Sequence, residues 1–258
     1  MAPRGSGRPE LGRQGLSVVT IESPFQDFIQ IAGVRDRLEA ELLVECGVRY
    51  LGFPLRLPVN EDDLTETEAA RLIRSIRPPA RGVLITYLDK ANAIVDFMAE
   101  LGASVVQLHG DICRGELQKL RQARPDIRVI KSLVVGKGDT ADLEERVGGF
   151  AGFVDAFITD TFDPATGASG ATGKTHDWRI SRELRALSPK PLILAGGLDP
   201  DNVREAIAFV RPSGVDTHTG VEDAEGRKDP VKVRTFLAEA REGFRRMRLP
   251  ASRENQGL

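Results

Sequence analysis

The sequence has little of what marks several common protein classes. Its 258 residues include only two cysteines and three histidines, and aromatic residues make up 5% of the chain. Cys46 and Cys113 have neither CxxC spacing nor a nearby histidine pair, so neither a metal site nor a disulfide framework is predicted. Scarce aromatic residues also disfavour base stacking. We expect no cofactor and a reducing, cytoplasmic environment.

Strong charge and long apolar segments are missing as well. The formal net charge is -2 and the pI is near 6.0, which gives no general attraction for nucleic acid. No apolar run approaches the roughly 18 residues that a membrane helix needs. Residues 1–24 lack the apolar core of a secretory signal, so they and residues 249–258 are predicted to be short disordered tails. We expect neither a nucleic-acid nor a membrane partner.

Between the tails, short β-branched or apolar runs alternate with segments of helical period, a pattern typical of a parallel sheet. The first predicted helix places Leu38, Leu42 and Val44 on its apolar face and closes at Gly47. The predicted strands number eight: 28–33, 48–53, 82–87, 104–110, 127–135, 156–160, 191–197 and 214–220. A helical segment follows each of them.

Eight such units favour a closed barrel over an open sheet, which usually has fewer units and a switch point. No GxGxxG follows the first strand, and no internal linker divides the chain. The sequence therefore predicts an α/β fold consisting of a single (β/α)8 TIM barrel over residues 25–248.

Glycines follow the seventh and eighth predicted strands, where barrels of this class commonly bind phosphate. Gly196, Gly197 and Gly220 have no Cβ, so their backbone N–H groups can approach an anion closely. A short helix starting after Gly220 would add the favourable end of its dipole. The alternative is that these glycines only turn the chain.

Asp160 ends the sixth predicted strand, where a partly buried carboxyl group can act as a general acid. The alternative is that it caps the next loop. The following GASGATGKT run, 167–175, is predicted to be a mobile lid. It resembles a Walker A loop, but it follows a loop instead of a strand, so nucleoside triphosphate binding is not predicted.

Two of the three histidines also end strands. His109 and His218 are candidates for an acid or a base near neutral pH, although a histidine bonded to a loop carbonyl is more common. His176 is predicted to be an ordinary residue of a loop or helix start.

Four motifs in order, VQLHGD, TDT…GATGKTHDW, LAGGLDPDNVREAI and GVDTHTGVEDAEGRKD, resemble phosphoribosylanthranilate isomerase, and the similarity covers Phe28 to Phe244. The resemblance implies an Amadori isomerisation of tryptophan biosynthesis, a phosphorylated small-molecule substrate and a monomer or homodimer. It also implies that Asp160 is the general acid. The residues that it assigns to the ribose phosphate are Gly196, Gly197, Thr219, Gly220 and Val221.

The first strand departs from the family pattern. The family reads approximately KICGIT there and uses the cysteine as general base, whereas this chain has Ala32 at that place and Gln30 at the lysine. Alanine cannot accept a proton. The candidate replacement bases are His218, His109 and Asp36, although Asp36 could equally cap the first helix.

The loop after the second strand departs too. The family places there an arginine that pairs with the anthranilate carboxylate, but Arg56 lies several residues too early. The residues that stand in its place are Asn60, Glu61, Asp62 and Asp63. Acidic groups would repel a carboxylate. The alternative is a solvated loop leading to a helix capped near Thr65 or Thr67.

Three functions remain open from the sequence. The first is the family's isomerisation. The second is a divergent paralogue that acts on another phosphoribosylated substrate or catalyses another reaction on the same barrel. The third is a phosphoribosyl-ligand-binding protein without turnover.

Overall fold

The computed structural model describes residues 25–58, 63–162 and 175–249. Within these ranges, eight strands alternate with eight α-helices. The strands are β1 Phe28–Ala32, β2 Tyr50–Pro54, β3 Arg81–Thr86, β4 Val105–Leu108, β5 Arg128–Val135, β6 Ala156–Thr161, β7 Leu192–Leu194 and β8 Gly214–Thr217. The helices are α1 Arg37–Glu45, α2 Glu66–Ser75, α3 Ala91–Leu101, α4 Arg114–Ala123, α5 Thr140–Phe150, α6 Trp178–Leu187, α7 Val203–Val210 and α8 Pro230–Arg248.

The strands form one closed parallel barrel. Each strand pairs with the next, and β8 closes onto β1 with Phe28 opposite Gly214 and Gln30 opposite Asp216. The predicted (β/α)8 barrel is thereby confirmed. Residues 1–24 and 250–258 of the predicted tails, residues Asn60 to Asp62, and residues 167–174 of the predicted lid lie outside the described residues.

Side chains alternate along each strand between two buried layers, because successive Cβ atoms point to opposite faces. One layer fills the barrel interior and includes Phe28, Ala32, Val83, Ile130 and Ile158. The other packs against the surrounding helices. A strand residue two or four positions from one of these interior residues therefore also faces the barrel axis. If it stands near the C-terminal end of its strand, it faces the mouth, which is the opening of the barrel at that end.

The first helix is confirmed, but its predicted apolar face was wrong. Leu38 and Val44 are 65% and 42% exposed, whereas Ala40 and Leu43 are buried against the barrel. Residues three apart share a helix face, while Leu42 and Val44, two apart, do not. Leu42 is only partly buried and packs against the edge of the core.

The predicted helix start after Gly220 is also wrong. A single 3-10 turn, Thr219–Val221, includes Gly220 itself, and the chain then becomes extended at Glu222, which bridges to Lys228. The α-helix begins only at Pro230. It begins there because the Asp229 carboxylate accepts the N–H groups of Val231 and Lys232, and because proline favours the first helical position.

The start of α2 confirms the helix cap predicted near Thr65. The Thr65 hydroxyl accepts the N–H of Glu68, whose carboxylate in turn accepts the N–H of Thr65. Of the helices in the described ranges, none is both long and apolar enough to cross a membrane.

Candidate active site

Two carboxyl groups and two small side chains lie side by side around the mouth of the barrel. Asp160 is on β6 and Asp216 on β8, and each residue is only 9% exposed. Ala195 follows β7 between them, and Ala32 ends β1 on the other side of Asp216. Both alanines belong to the interior cluster. The mouth thus combines two buried carboxyl groups with two side chains no larger than a methyl group.

Asp160 has the environment of a general acid. Burial raises the pKa of its carboxyl group, while His109 and the N–H of Thr161 act in the opposite direction. The Thr161 N–H donates to Oδ1 at 2.8 Å, and His109 Nδ1 lies 3.9 Å from Oδ2. A raised pKa keeps the proton on the carboxyl group closer to neutral pH, where it can be donated.

His109 is held beside this acid by its neighbours. Its Nδ1 lies 3.0 Å from Ser132 Oγ, and its ring packs edge-on against Tyr87 with centroids 4.8 Å apart. Burial and then the Asp160 charge raise the pKa of Tyr87 to about 12. The structure thus places His109 at the mouth, as its strand-end position suggests, together with Tyr87 and Ser132, which the sequence motifs do not single out.

Asp216 is the site residue that the sequence reasoning missed. Burial and the nearby Asp160 charge raise the pKa of Asp216 to about 7, against opposing effects of the Gln30 side chain and Lys228. Its Oδ1 has no hydrogen-bond partner among the described residues. The sequence feature that could have identified Asp216 is its position two residues before His218, because alternate residues of a strand face the same side.

Gln30 forms the floor below the mouth. It is fully buried, and its amide nitrogen donates to Gln107 Oε1 at 2.9 Å. Because Gln30 lies opposite Asp216 on the neighbouring strand, a neutral amide stands beside this carboxyl group where the family has a lysine. The amide supplies a hydrogen bond to the carboxyl group without a full counter-charge.

His218 packs against the end of β1. A Cβ added to Gly33 would lie 2.0 Å from His218 Nε2, so the imidazole occupies the space directly beside the residue that follows Ala32. Burial and the charges of Lys228 and Arg35 lower the pKa of His218 to about 3. The ring is therefore neutral near pH 7 and only weakly basic.

Asp36 adopts the capping alternative left open by the sequence. It precedes α1 and accepts the N–H of Glu39 at 2.9 Å, and its Oδ2 lies 2.6 Å from Arg227. Burial would raise its pKa, but the Glu39 hydrogen bond and Arg227 outweigh that effect and lower it. A carboxylate committed to a helix end and an ion pair is poorly suited to accept a substrate proton.

The loops after β7 and β8 interlock through their glycines. A Cβ at Gly220 would lie 2.0 Å from the Leu198 carbonyl oxygen, and Thr217 Oγ1 donates to that same oxygen at 2.6 Å. Gly196 has φ +101°, and a Cβ there would lie 2.1 Å from Thr161 Oγ1. Side chains are thus excluded at these positions for reasons beyond turning the chain. Thr219 and Val221 flank Gly220 within the 3-10 turn.

His176 does more than the sequence predicts for an ordinary loop residue. It stands just before α6, with Nδ1 2.9 Å from Thr161 Oγ1 and Nε2 2.6 Å from Ser181 Oγ. Burial lowers its pKa to about 4, so it is a neutral imidazole near pH 7. It connects the end of the Asp160 strand to α6, beside Gly196.

The cations near β1 and β2 have separate partners. Arg56 lies on the helix side of the barrel, where it pairs with Glu66 at 2.7 Å and sits 3.6 Å from the centroid of the Phe97 ring. Arg35 follows β1 on the mouth side, with Nε 3.2 Å from Asp63 and Nη1 donating to the Gly226 carbonyl at 2.8 Å. Of these two guanidinium groups, only that of Arg35 borders the mouth.

A closed barrel with buried carboxyl groups at its strand ends and glycine loops after β7 and β8 has the arrangement typical of (β/α)8 enzymes. The sequence model of N-(5'-phosphoribosyl)anthranilate (PRA) isomerase matches residues 27–239. N-(5'-phosphoribosyl)anthranilate isomerase 2 of Methanosarcina mazei is 37% identical over 222 residues, covering 85% of this chain and 96% of the relative. The chain belongs to the phosphoribosylanthranilate isomerase family.

Solved structures agree with this assignment. Phosphoribosyl anthranilate isomerase from Thermotoga maritima matches with a TM-score of 0.71 at 29% identity, covering 84% of this chain and all 100% of that one. Another match is a phosphoribosyl anthranilate isomerase in complex with reduced 1-(o-carboxyphenylamino)-1-deoxyribulose 5-phosphate. Its TM-score is 0.69 at 27% identity, again covering 84% of this chain and 100% of the other.

Proposed function

We propose that this protein isomerises N-(5'-phosphoribosyl)anthranilate to 1-(o-carboxyphenylamino)-1-deoxyribulose 5-phosphate, an Amadori rearrangement in tryptophan biosynthesis. The observation that carries the proposal is the buried Asp160 carboxyl group, with its raised pKa, on the same barrel mouth as the interlocked glycine loops. Family membership supplies the reaction class.

Asp160 opens the ribose ring in this proposal. Its proton goes to the ring oxygen as the bond from that oxygen to C1 breaks, and the amine nitrogen lone pair forms an iminium with C1. A base must then remove the C2 proton to give an enamine, and C1 must gain a proton to give the ketose. A positioned acid or base typically contributes about 10² to 10⁴ in rate.

The ribose phosphate binds at the loops after β7 and β8. Gly196 and Gly197 have φ values of +101° and +61°, a conformation that favours glycine and turns successive backbone amides to one side. We assign the phosphate oxygens to the backbone N–H groups of Gly196, Gly197, Thr219, Gly220 and Val221. No lysine or arginine is needed for this, because backbone amides bind phosphate on their own.

The anthranilate carboxylate takes Arg35 as its partner in this proposal. Arg35 stands at the mouth after β1, close enough to His218 to lower the pKa of that residue. Its guanidinium has donors beyond the two that contact Asp63 and Gly226. Arg35 thus supplies, from the neighbouring loop, the charge that the family's arginine supplies after β2.

We propose further that the partner is this phosphorylated small molecule alone, that the protein acts as a monomer or homodimer, and that it works in the cytoplasm. The near-neutral net charge of -2 supports a partner captured at a local site.

The test is turnover of N-(5'-phosphoribosyl)anthranilate by the purified protein, followed by loss of substrate fluorescence. We expect turnover by the wild type and a loss of about 10² to 10⁴ in kcat for Asp160→Asn. Asp96→Asn, an exposed position on α3, is the matched control. No turnover above background would contradict the proposal. If the reduced ketose phosphate still raised the Tm, a paralogue with another substrate or a binding protein would remain.

A further inference from the structure

Because Ala32 stands in place of the family's cysteine, the proposed reaction lacks the thiolate that would serve as its base. Of the three replacements considered from the sequence, Asp36 caps α1 and pairs with Arg227, and His218 is only weakly basic. His109 Nδ1 is engaged with Ser132 and lies beside the acid. None of these arguments excludes the carboxyl group of Asp216 as the base.

The position of Asp216 fits a base that acts where the thiol would have acted. On the closed barrel β8 lies next to β1, and Asp216 is directly opposite Gln30. Ala32 is two residues further along β1, so its side chain points to the same interior face. The methyl group of Ala32 is smaller than a cysteine side chain, so this position fills less of the mouth beside Asp216.

One oxygen of the carboxyl group also lacks a partner within the described part of the chain, which is rare for a buried polar atom. Oδ1 of Asp216 is buried and has no hydrogen-bond partner among the described residues. An orphaned carboxylate oxygen below an open mouth costs free energy unless a ligand or solvent proton reaches it. Such a cost is typical of a functional site.

We infer that Asp216 is the general base that takes over from the missing thiolate, removing the C2 proton while Asp160 serves as the acid. This inference rests on the proposed isomerase activity and adds the identity of its second catalytic group.

The two carboxyl groups complete the reaction without another reactant. After Asp160 protonates the ring oxygen, Asp216 takes the C2 proton, and the electrons of that C–H bond form the C1–C2 double bond as the iminium electrons return to nitrogen. Asp216 then gives a proton to C1. The C2 hydroxyl, now part of a protonated ketone, gives its proton to the Asp160 carboxylate. Both groups return to their starting state.

The electrostatics of the pair suit these roles. Burial raises the pKa of both carboxyl groups, and the Asp160 charge raises that of Asp216 further, to about 7. A base with a pKa near neutral pH can both accept a proton and return it. Gln30 and Lys228 act in the opposite direction and favour the ionised form of Asp216, the form that can accept the C2 proton.

Three variants test the inference: Asp216→Asn, Ala32→Cys and the double variant. We expect Asp216→Asn to lower kcat by about 10² to 10⁴ with little change in KM. In the Asp216→Asn background, Ala32→Cys should raise kcat at least tenfold, because it returns a thiol to the family position. Asp96→Asn is the control for the acid-to-amide change.

The pH profile separates a base from a structural carboxyl group. The wild-type kcat should fall on the acidic side with an apparent pKa near 7, and this limb should disappear or move in the double variant. If Asp216→Asn turned over substrate within threefold of the wild-type rate, the inference would be overturned. The inference would also be overturned if Ala32→Cys did not restore the kcat lost in Asp216→Asn and the acidic limb of the pH profile stayed unchanged. An inactive wild type would instead remove the proposed function itself.

Discussion

The two halves of the barrel mouth differ from the family pattern to different extents. The half formed by β6, β7 and β8 keeps Asp160 and the glycine loops, which are held by close contacts such as that between Gly220 and the Leu198 carbonyl. The half formed by β1 and β2 has Ala32 in place of the cysteine and Arg56 turned to the helix side. Backbone packing fixes the first half, whereas single side chains define the second, and side chains are replaced more easily.

The largest effect that we predict is a loss of folding stability in acid, caused by His176 in the β6–β8 half. His176 is held neutral with a pKa of about 4 instead of its ordinary 6.5, so the unfolded chain binds the proton more tightly. Stability should fall as the pH drops from 6.5 to 4, by up to about 3 kcal/mol. Denaturant unfolding over this range should show a steeper loss for wild type than for His176→Gln. Equal slopes would place the acid sensitivity elsewhere.

The next effect concerns the β1–β2 half and its proposed carboxylate partner. Arg35→Ala should raise KM for N-(5'-phosphoribosyl)anthranilate about 10- to 100-fold, because a charged hydrogen bond contributes roughly 1.5–3 kcal/mol. KM for N-(5'-phosphoribosyl)aniline, which lacks the carboxylate, should hardly change. Arg56→Ala is the matched control, since Arg56 binds Glu66 away from the mouth. A similar KM increase for both ligands would refute a carboxylate contact.

Adding a methyl group to the glycine loop after β8, which we propose binds phosphate, should have a somewhat smaller effect. In Gly220→Ala the new Cβ would meet a backbone carbonyl at 2.0 Å, and the backbone must shift. We expect a loss of about 1–3 kcal/mol in stability and a higher KM. The same change at Gly148 in α5, where nothing lies within 4 Å, should instead stabilise by about 0.5–1 kcal/mol. Thermal unfolding and KM measure both, and effects of the same sign would contradict the packing argument.

The smallest effect distinguishes a helix cap from a base at Asp36. Asp36→Ala should destabilise the protein by about 1 kcal/mol, as the loss of an N-cap does, while kcat stays close to wild type. Asp139→Ala removes the equivalent cap of α5 and should behave alike in denaturant unfolding. If Asp36→Ala lowered kcat about 10²-fold or more and Asp139→Ala did not, the loss would match the usual contribution of a base, and Asp36 would be assigned that role.

Most of the fold could be predicted from the sequence, because each strand and helix carries its own local pattern. The eight strands and the mouth positions of His109, Asp160 and His218 follow from alternation and from strand ends. The face of α1 could not be predicted reliably, since Leu38 and Val44 are apolar yet exposed.

The parts of the site that escaped prediction depend on contacts between distant segments. Asp216 becomes a candidate base only because β8 closes onto β1 and brings it beside Gln30 and Ala32. His176 gains its role from Thr161, which lies fifteen residues earlier in the chain. Asp36 caps α1 and also pairs with Arg227, which lies on the loop before α8. No local pattern contains these pairings.

A barrel without the family's thiol should still convert the aldose to the ketose. The most direct measurement is an NMR spectrum of N-(5'-phosphoribosyl)anthranilate labelled with carbon-13 at C1, recorded during incubation with the wild-type protein. We predict that the anomeric signal is replaced by that of a methylene carbon bonded to nitrogen. An unchanged anomeric signal, or only the C1 signal of free ribose 5-phosphate, would contradict the claim.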